Sequence, residues 1–298
     1  MIITRARALA LLGASASLVA CAGGGADGKH PIAVGSKDFT EELILGEMYA
    51  LILEQNGFAV KRKLDLGGTQ VAMAALQRGD IDLYPEYTGT ALLTQLKAKP
   101  SKDAAANFQT VKAYYASHYK LDWLQAAPFN DTQALATTQA IAAKYSVRTL
   151  SDLSRVAPQL RLGAIPEFVK REDALPGLRR VYGGFAFKDI KLFDIGLKYK
   201  ALASGQVDVV VAFGTDGQIE VDKLVVFEDD RHFWPSYQVA PVVREQTLAT
   251  YPAIATHLNK LAPLLTDAVM RGLNAQVDGQ KKDPKDVAAE FLKTHGFA

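Results

Sequence analysis

From residue 31 onward the chain alternates short apolar runs with longer stretches whose apolar residues recur at helical spacing. Ile32-Ala33-Val34 reads as a strand and Gly35-Ser36-Lys37 as the turn after it. Asp38-Phe39-Thr40-Glu41 has the form of a capping box, with Asp38 accepting from the Glu41 amide. It predicts a helix to about residue 55 whose inner face is Leu43, Ile44, Met48, Leu51 and Ile52, stopped by Asn56-Gly57. Residues 58–66 form a second strand, and Gly67-Gly68-Thr69 opens a helix with Val71, Ala72, Ala75 and Leu76 inward. Gly79 ends that helix. Residues 81–83 are then a short buried strand that Pro85 releases into a turn carrying Glu86, Tyr87, Thr88 and Thr90. Strands alternating with helices predict an α/β fold with largely parallel pairing.

Residues 91–125 read as helical, broken at Lys99-Pro100-Ser101. An extended run follows, from Trp123 through Pro128-Phe129-Asn130-Asp131-Thr132-Gln133 to Ala136. Beyond it the pattern restarts. A surface helix begins at residues 150–153 and a strand covers 160–164. Residues 166–180 are helical, interrupted by Pro176-Gly177. Strand 190–193, helix 196–203 and strand 207–212 complete the unit, and Gly214-Thr215-Asp216-Gly217 makes a tight turn. Residues 227–237 form a second extended run, 240–244 a returning strand, and helices close the chain, the last opening at Asp283-Pro284. Leu76-x-x-Gly79-x-Ile81-Asp82-Leu83 is answered by Leu202-x-x-Gly205-x-Val207-Asp208-Val209, which places Tyr87 opposite Phe213 in the repeat. Two similar lobes joined by two crossings imply a hinge with a ligand cleft between them. The expected organisation is residues 31–130 plus 236–298 in lobe 1 and 131–235 in lobe 2, the architecture of a two-lobed periplasmic binding protein.

The N-terminal region changes the picture of where such a protein works. Arg5 and Arg7 precede a small apolar run, residues 8–20, too short to span a bilayer. Leu18-Val19-Ala20-Cys21 then has the form of a bacterial lipobox, and Cys21 is the single cysteine. A lone Cys excludes a disulfide framework and a thiolate zinc site. Residues 1–20 are expected to be a lipoprotein signal peptide of the general secretory pattern, with Cys21 lipidated. Residues 21–30, rich in glycine, are the expected tether. The chain carries 34 Lys and Arg against 32 Asp and Glu. Loss of Arg5 and Arg7 balances them, so no basic stripe remains for nucleic acid.

The motifs Gly35-Ser36-Lys37-Asp38-Phe39-Thr40-Glu41-Glu42, Leu66-Gly67-Gly68-Thr69, Asp82-Leu83-Tyr84-Pro85-Glu86-Tyr87-Thr88-Gly89-Thr90, Thr215-Asp216-Gly217 and Tyr237-Gln238-Val239-Ala240-Pro241 stand in order along the chain. Together they resemble the glycine betaine/choline/carnitine-binding proteins of ABC importers, from about residue 31 to the C-terminus. The resemblance implies an aromatic cage for a quaternary ammonium, with basic and polar groups for a carboxylate. It places Tyr87, Thr90, Lys37, Asp131, Arg171 and Tyr237 on ligand-contact positions. Two cage positions depart from the family: Gln133 and Phe213 stand where it usually has Tyr. Glu42 stands where it usually has Gln. Phe213 keeps a π face; Gln133 loses it, at a cost of roughly 0.5–2 kcal/mol per desolvated contact.

The resemblance further implies a monomer that delivers a small zwitterion or quaternary ammonium to an ABC permease and its ATPase, without cofactor or metal. Two alternatives have the same fold: a changed specificity for an amino acid or other polar zwitterion, and a sensory role. Catalysis is the rival from another class, and the residues offer it little. His30, His118, His232, His257 and His295 are scattered without metal-ligand spacing. Gly35-Ser36-Lys37 lacks the order of a phosphate loop, and no Gly-x-Ser-x-Gly elbow occurs.

Overall fold

The computed structural model describes residues 30–297. The expected signal peptide and Cys21 lie outside the described residues, as does all of the tether but His30. In chain order the strands are β1 (Ile32–Gly35), β2 (Val60–Lys63), β3 (Leu83–Tyr87), β4 (Leu121–Trp123), β5 (Gln133–Thr137), β6 (Arg161–Ala164), β7 (Asp189–Leu192), β8 (Val209–Phe213), β9 (Val225–Val226) and β10 (Val239–Arg244). They form two five-stranded sheets, ordered β2-β1-β3-β10-β4 and β7-β6-β8-β5-β9. The sheets share one plan. In each, a parallel trio (β2, β1, β3 or β7, β6, β8) is extended by an antiparallel strand, β10 or β5, and an edge strand. The chain passes between the sheets through residues 124–132 and 227–238.

The internal repeat lies at the centre of both sheets. Gly79 follows the Thr69–Arg78 helix in the left-handed region, φ 79°, and Gly205 does the same after Lys198–Ala203, φ 70°. An L side chain is disfavoured at either position. Next come Asp82 and Asp208. The backbone N–H of Asp82 donates to Ala33 O at 2.7 Å, and its Oδ2 accepts from Ala33 N at 2.8 Å. Asp208 repeats the pair on Arg161, at 2.9 and 2.8 Å. Each carboxylate closes the ladder just before its strand begins, so β3 and β8 enter their sheets in the same register.

Several local expectations fail for identifiable reasons. β3 begins at Leu83 and runs through Pro85 to Tyr87. Proline is tolerated because Pro85 faces Pro241 across the antiparallel pair, and β1 pairs with β3 only at Val34 and Leu83. The capping box at Asp38 does not form: Phe39 is the N-cap of the Thr40–Gln55 helix and no side chain caps it. Glu41 and Glu42 turn inward instead. That helix is buried on more than the predicted stripe, taking in Leu45, Tyr49 and Leu53 as well as Ile44, Met48 and Ile52, while Leu43 and Leu51 are only half-buried. Val71, expected inside, is 50% exposed, and Met73 is buried in its stead. Residues 166–174 are irregular; the helix is Leu175–Tyr182, with Pro176 in its first turn, where a missing N–H costs nothing.

Replacing Asp82 or Asp208 with Ala leaves a backbone N–H at the strand entry without its acceptor. Each substitution should lower unfolding free energy by about 1–3 kcal/mol, read from urea denaturation. Wild-type midpoints for both variants would show that the carboxylates do not set the strand entry.

Candidate binding site

Between the two sheets lies a cavity of about 450 Å³, within the range of about 300–1,000 Å³ found for small-molecule sites. The repeat delivers its two rings here: Tyr87 is the last residue of β3 and Phe213 the last of β8. Gln133 opens β5 directly opposite Phe213 in the ladder. Tyr237 stands two residues before β10, its ring packed on Gly89, where a Cβ would meet it at 2.7 Å. The cavity is lined by all eight residues expected at the site: Lys37, Tyr87, Thr90, Asp131, Gln133, Arg171, Phe213 and Tyr237.

The aromatic group is larger than the sequence pattern indicated. Phe39 lies 6.1 Å from Tyr87 and 6.3 Å from Phe213, stacked on the latter at 10°. It thereby joins the rings of the two lobes. Phe168 and Phe193 add further wall. Phe39 lies in the motif at residues 35–42, as the N-cap residue of the Thr40–Gln55 helix, where the local pattern gives no sign that its ring faces the cavity. Phe168 and Phe193 fall inside an expected helix and at the end of an expected strand, where nothing marks them as site residues. Glu167, another lining residue, reaches from the second lobe so close to Gly68 that a Cβ there would fall 1.9 Å from its Oε1.

The two cations at the cavity are already paired. Lys37 Nζ donates to Glu86 Oε1 at 2.7 Å, stands 3.7 Å from Glu42 Oε1, and lies 4.8 Å from the Tyr87 ring centroid. Burial alone would lower the Lys37 pKa; Glu86 and Glu42 outweigh it and raise the group above its usual range. Glu42 is driven up to about 8 by burial, against the pull of Lys37. Glu86, read from sequence as a turn residue, is this buried counter-ion, also accepting from Tyr84 Oη at 2.6 Å. Arg171 grips Asp173 with two donors, Nε at 2.7 Å and Nη2, and its Nη1 stands 3.6 Å from Glu167. Asp173 also receives the Gln133 amide at 2.8 Å and Tyr237 Oη at 3.0 Å. Gln133 therefore supplies a donor to a buried carboxylate where a Tyr would supply a ring. Trp234 stands outside the cavity, its Nε1 donating to Asp173 O at 2.7 Å.

The sequence matches the model of the substrate-binding domain of ABC-type glycine betaine transport systems over residues 30–294. The chain belongs to this family. The binding protein is 36% identical over 290 residues to the glycine-betaine-binding protein of Pseudomonas aeruginosa, covering 93% of each chain. It is 39% identical over 270 residues to the ergothioneine transport permease/ergothioneine binding protein EgtU of Helicobacter pylori, covering 90% of this chain but only 48% of that longer protein. A crystal structure of a glycine betaine/carnitine/choline ABC transporter protein superposes with a TM-score of 0.72 at 30% identity, covering 89% of this binding protein and 99% of that chain. The two-lobed periplasmic-binding-protein fold read from the internal repeat is thereby shown.

The raised pKa of Glu42 has a sign. A carboxyl whose native value lies above its unfolded value binds its proton more tightly in the folded state. The stability this gives is full below the usual carboxylate value near 4.5 and is lost as pH rises through about 8. Glu42→Gln removes that dependence and keeps an acceptor for the Lys37 N–H. The drop in Tm from acid to alkaline pH should be shallower in the variant than in wild type; parallel profiles would place the titration elsewhere.

Proposed function

We propose that this binding protein captures a small quaternary-ammonium zwitterion of the betaine class and delivers it to an ABC permease and its ATPase. The observation that carries the reading is the convergence of Tyr87, Phe213 and Tyr237 on one cavity beside the Asp131 carboxylate. A permanent cation cannot donate hydrogen bonds, so ring faces and a nearby carboxylate are the contacts that suit it. Lys37, Arg171 and Thr90 are assigned to the ligand's anionic end. Asp131 and Gln133 are assigned polar contacts, and the lobes would close over the ligand. The protein is read as extracytoplasmic, tethered through lipid on Cys21.

A second reading is a bulkier betaine bearing a polar ring. Gln133 favours it, because a polar amide stands where the family has a cage ring. The similarity to the ergothioneine-binding relative supports the same direction.

Calorimetry on residues 22–298 with glycine betaine, choline, carnitine and ergothioneine separates the readings. One of them should bind in the micromolar range, and Tyr87→Ala should weaken it by about tenfold or more. Binding unaffected by Tyr87→Ala would move the ligand out of this cavity. Preference for ergothioneine, weakened by Gln133→Ala, selects the second reading; preference for glycine betaine selects the first. The anchor is tested apart: in a bacterial host, Cys21→Ala should abolish incorporation of labelled fatty acid, and persistent labelling would refute the anchor.

A further inference from the structure

Thr215 Oγ1 lies 2.5 Å from Glu41 Oε2 and 2.7 Å from Asp131 Oδ1. Both are hydrogen-bond distances, and a hydroxyl has one proton to give. Two contacts need two protons, so the second must reside on one of the carboxyl oxygens. The other neighbours cannot supply it to this gap. Tyr87 Oη donates to the far oxygen of Glu41, Oε1, at 2.8 Å. Asn274 Nδ2 donates to Glu41 Oε2 and to Thr215 O at 3.0 and 2.9 Å, and the Thr215 N–H points to Asp131 at 3.3 Å. Both acids are buried, Glu41 3% and Asp131 6% exposed, where two adjacent negative charges are costly.

We propose that Glu41 and Asp131 hold one proton between them through Thr215, and that a cationic ligand in the cavity expels it. The inference rests on the quaternary-ammonium reading of the site and adds a proton to its binding reaction. Asp131 lines the ligand cavity itself, while Glu41 touches it through Tyr87. A permanent cation between Tyr87, Phe213 and Tyr237 stabilises the ionised form of Asp131 and leaves Thr215 to donate to whichever acid needs it. The released proton passes to solvent water: Glu41, Thr215 and Asp131 also line a second cavity of about 140 Å³, polar and roomy enough to admit water as the acceptor.

The charged surroundings favour the shared proton in the free protein. Asp216 follows Thr215 and is a negative neighbour to both acids. Lys198 Nζ faces Asp216 at 3.3 Å and Tyr199 Oη also donates to it, so these two groups answer Asp216. Asp278, on the same Asp267–Asp278 helix as Asn274, accepts from Thr40 and lines the small cavity, as does Asp38. Arg271 on the same helix is turned to Gly214 O at 3.2 Å. Glu42, next to Glu41, faces Lys37. Burial raises Glu41 to about 7 and raises Asp131 well above the usual carboxylate range, with the same sign as the hydrogen-bond count.

Linkage fixes the direction of the effect. A ligand that expels a proton binds more tightly as pH rises, by up to about tenfold per pH unit for one proton, and the gain ends once the free protein has lost that proton. Infrared spectroscopy near neutral pH of the ligand-free Glu42→Gln protein, in which the raised Glu42 carboxyl contributes no band of its own, should show the carbonyl band of a protonated carboxyl group that a further Glu41→Gln removes, because the Gln amide can donate to Thr215 and free Asp131 to ionise. Absence of the band in the Glu42→Gln protein overturns the proposal. Titration with glycine betaine, choline and ergothioneine in buffers of different ionisation enthalpy should then show up to one proton released on binding, and none in Glu41→Gln. Binding with no proton release in wild type overturns the linkage and leaves the transport reading intact. Failure of every such ligand to bind removes the ligand reading and the linkage with it, while the infrared band still reports the shared proton.

Discussion

Charge held away from water between the lobes is the constraint on which the site depends. Glu41, Glu42, Glu86, Asp131 and Asp173 are all buried at or behind the cavity. An ionised carboxylate in such a place must find cations or several donors, or keep its proton. Each solution appears. Glu86 takes Lys37, Asp173 takes Arg171 with Gln133 and Tyr237, and Glu41 shares donors with Asp131 through Thr215. These partners come from different sheets and from both passages between them. Compensating the charge therefore also positions the lobes, and the rings are carried along: Tyr87 by Glu41, Tyr237 by Asp173.

The near-repeat of the two lobes explains how the rings come to face one another. A left-handed glycine, an aspartate that closes the ladder, and a central strand ending in an aromatic ring occur once in each half. Equal spacing from Asp82 to Tyr87 and from Asp208 to Phe213 brings each ring to the same end of its strand. Phe39, between them, belongs to neither repeat. It is delivered by the turn after β1, and its stacking on Phe213 joins one lobe to the other.

The fold was legible because its signals are local. Turn glycines, apolar spacing and the repeated Gly-x-hydrophobic-Asp pattern act over a few residues, and they located the starts of the central strands to within two residues. Pro85 misled because a proline's cost depends on its partner, and its partner is Pro241, far along the chain. The eight expected site residues came from the family resemblance, four of them (Lys37, Tyr87, Thr90 and Tyr237) from within its ordered motifs, and the structure brings all eight to one cavity. What the sequence could not reveal was their pairing. Glu41 and Thr215 are 174 positions apart, and nothing in the local pattern around Asp38 indicates that Glu41 turns inward to a hydroxyl rather than back to cap its own helix. Phe168 was hidden for a related reason: the helix expected from residue 166 begins only at Leu175, and the irregular segment before it turns Phe168 to the cavity.

The pairing also changes what Gln133 means. Viewed as a cage position, it is a lost ring. Viewed from Asp173, it is one of the donors that make a 1% exposed carboxylate tolerable, with Arg171 and Tyr237 supplying the others. A phenol at this position offers one donor on a rigid ring, whereas the amide reaches Asp173 Oδ2, Asp173 O and Tyr237 Oη together. The same Asp173 neutralises the guanidinium that the family pattern assigns to a ligand's carboxylate. A ligand anion therefore meets an arginine already held bidentately, with Glu167 near its remaining nitrogen. Under the proposed reading of the site, attraction for the anionic end is correspondingly reduced, and Asp131 among the rings favours the cationic end. The balance of the site is thus tilted toward the ligand's positive end, and that tilt follows from how Asp173 is compensated rather than from the number of rings in the cage.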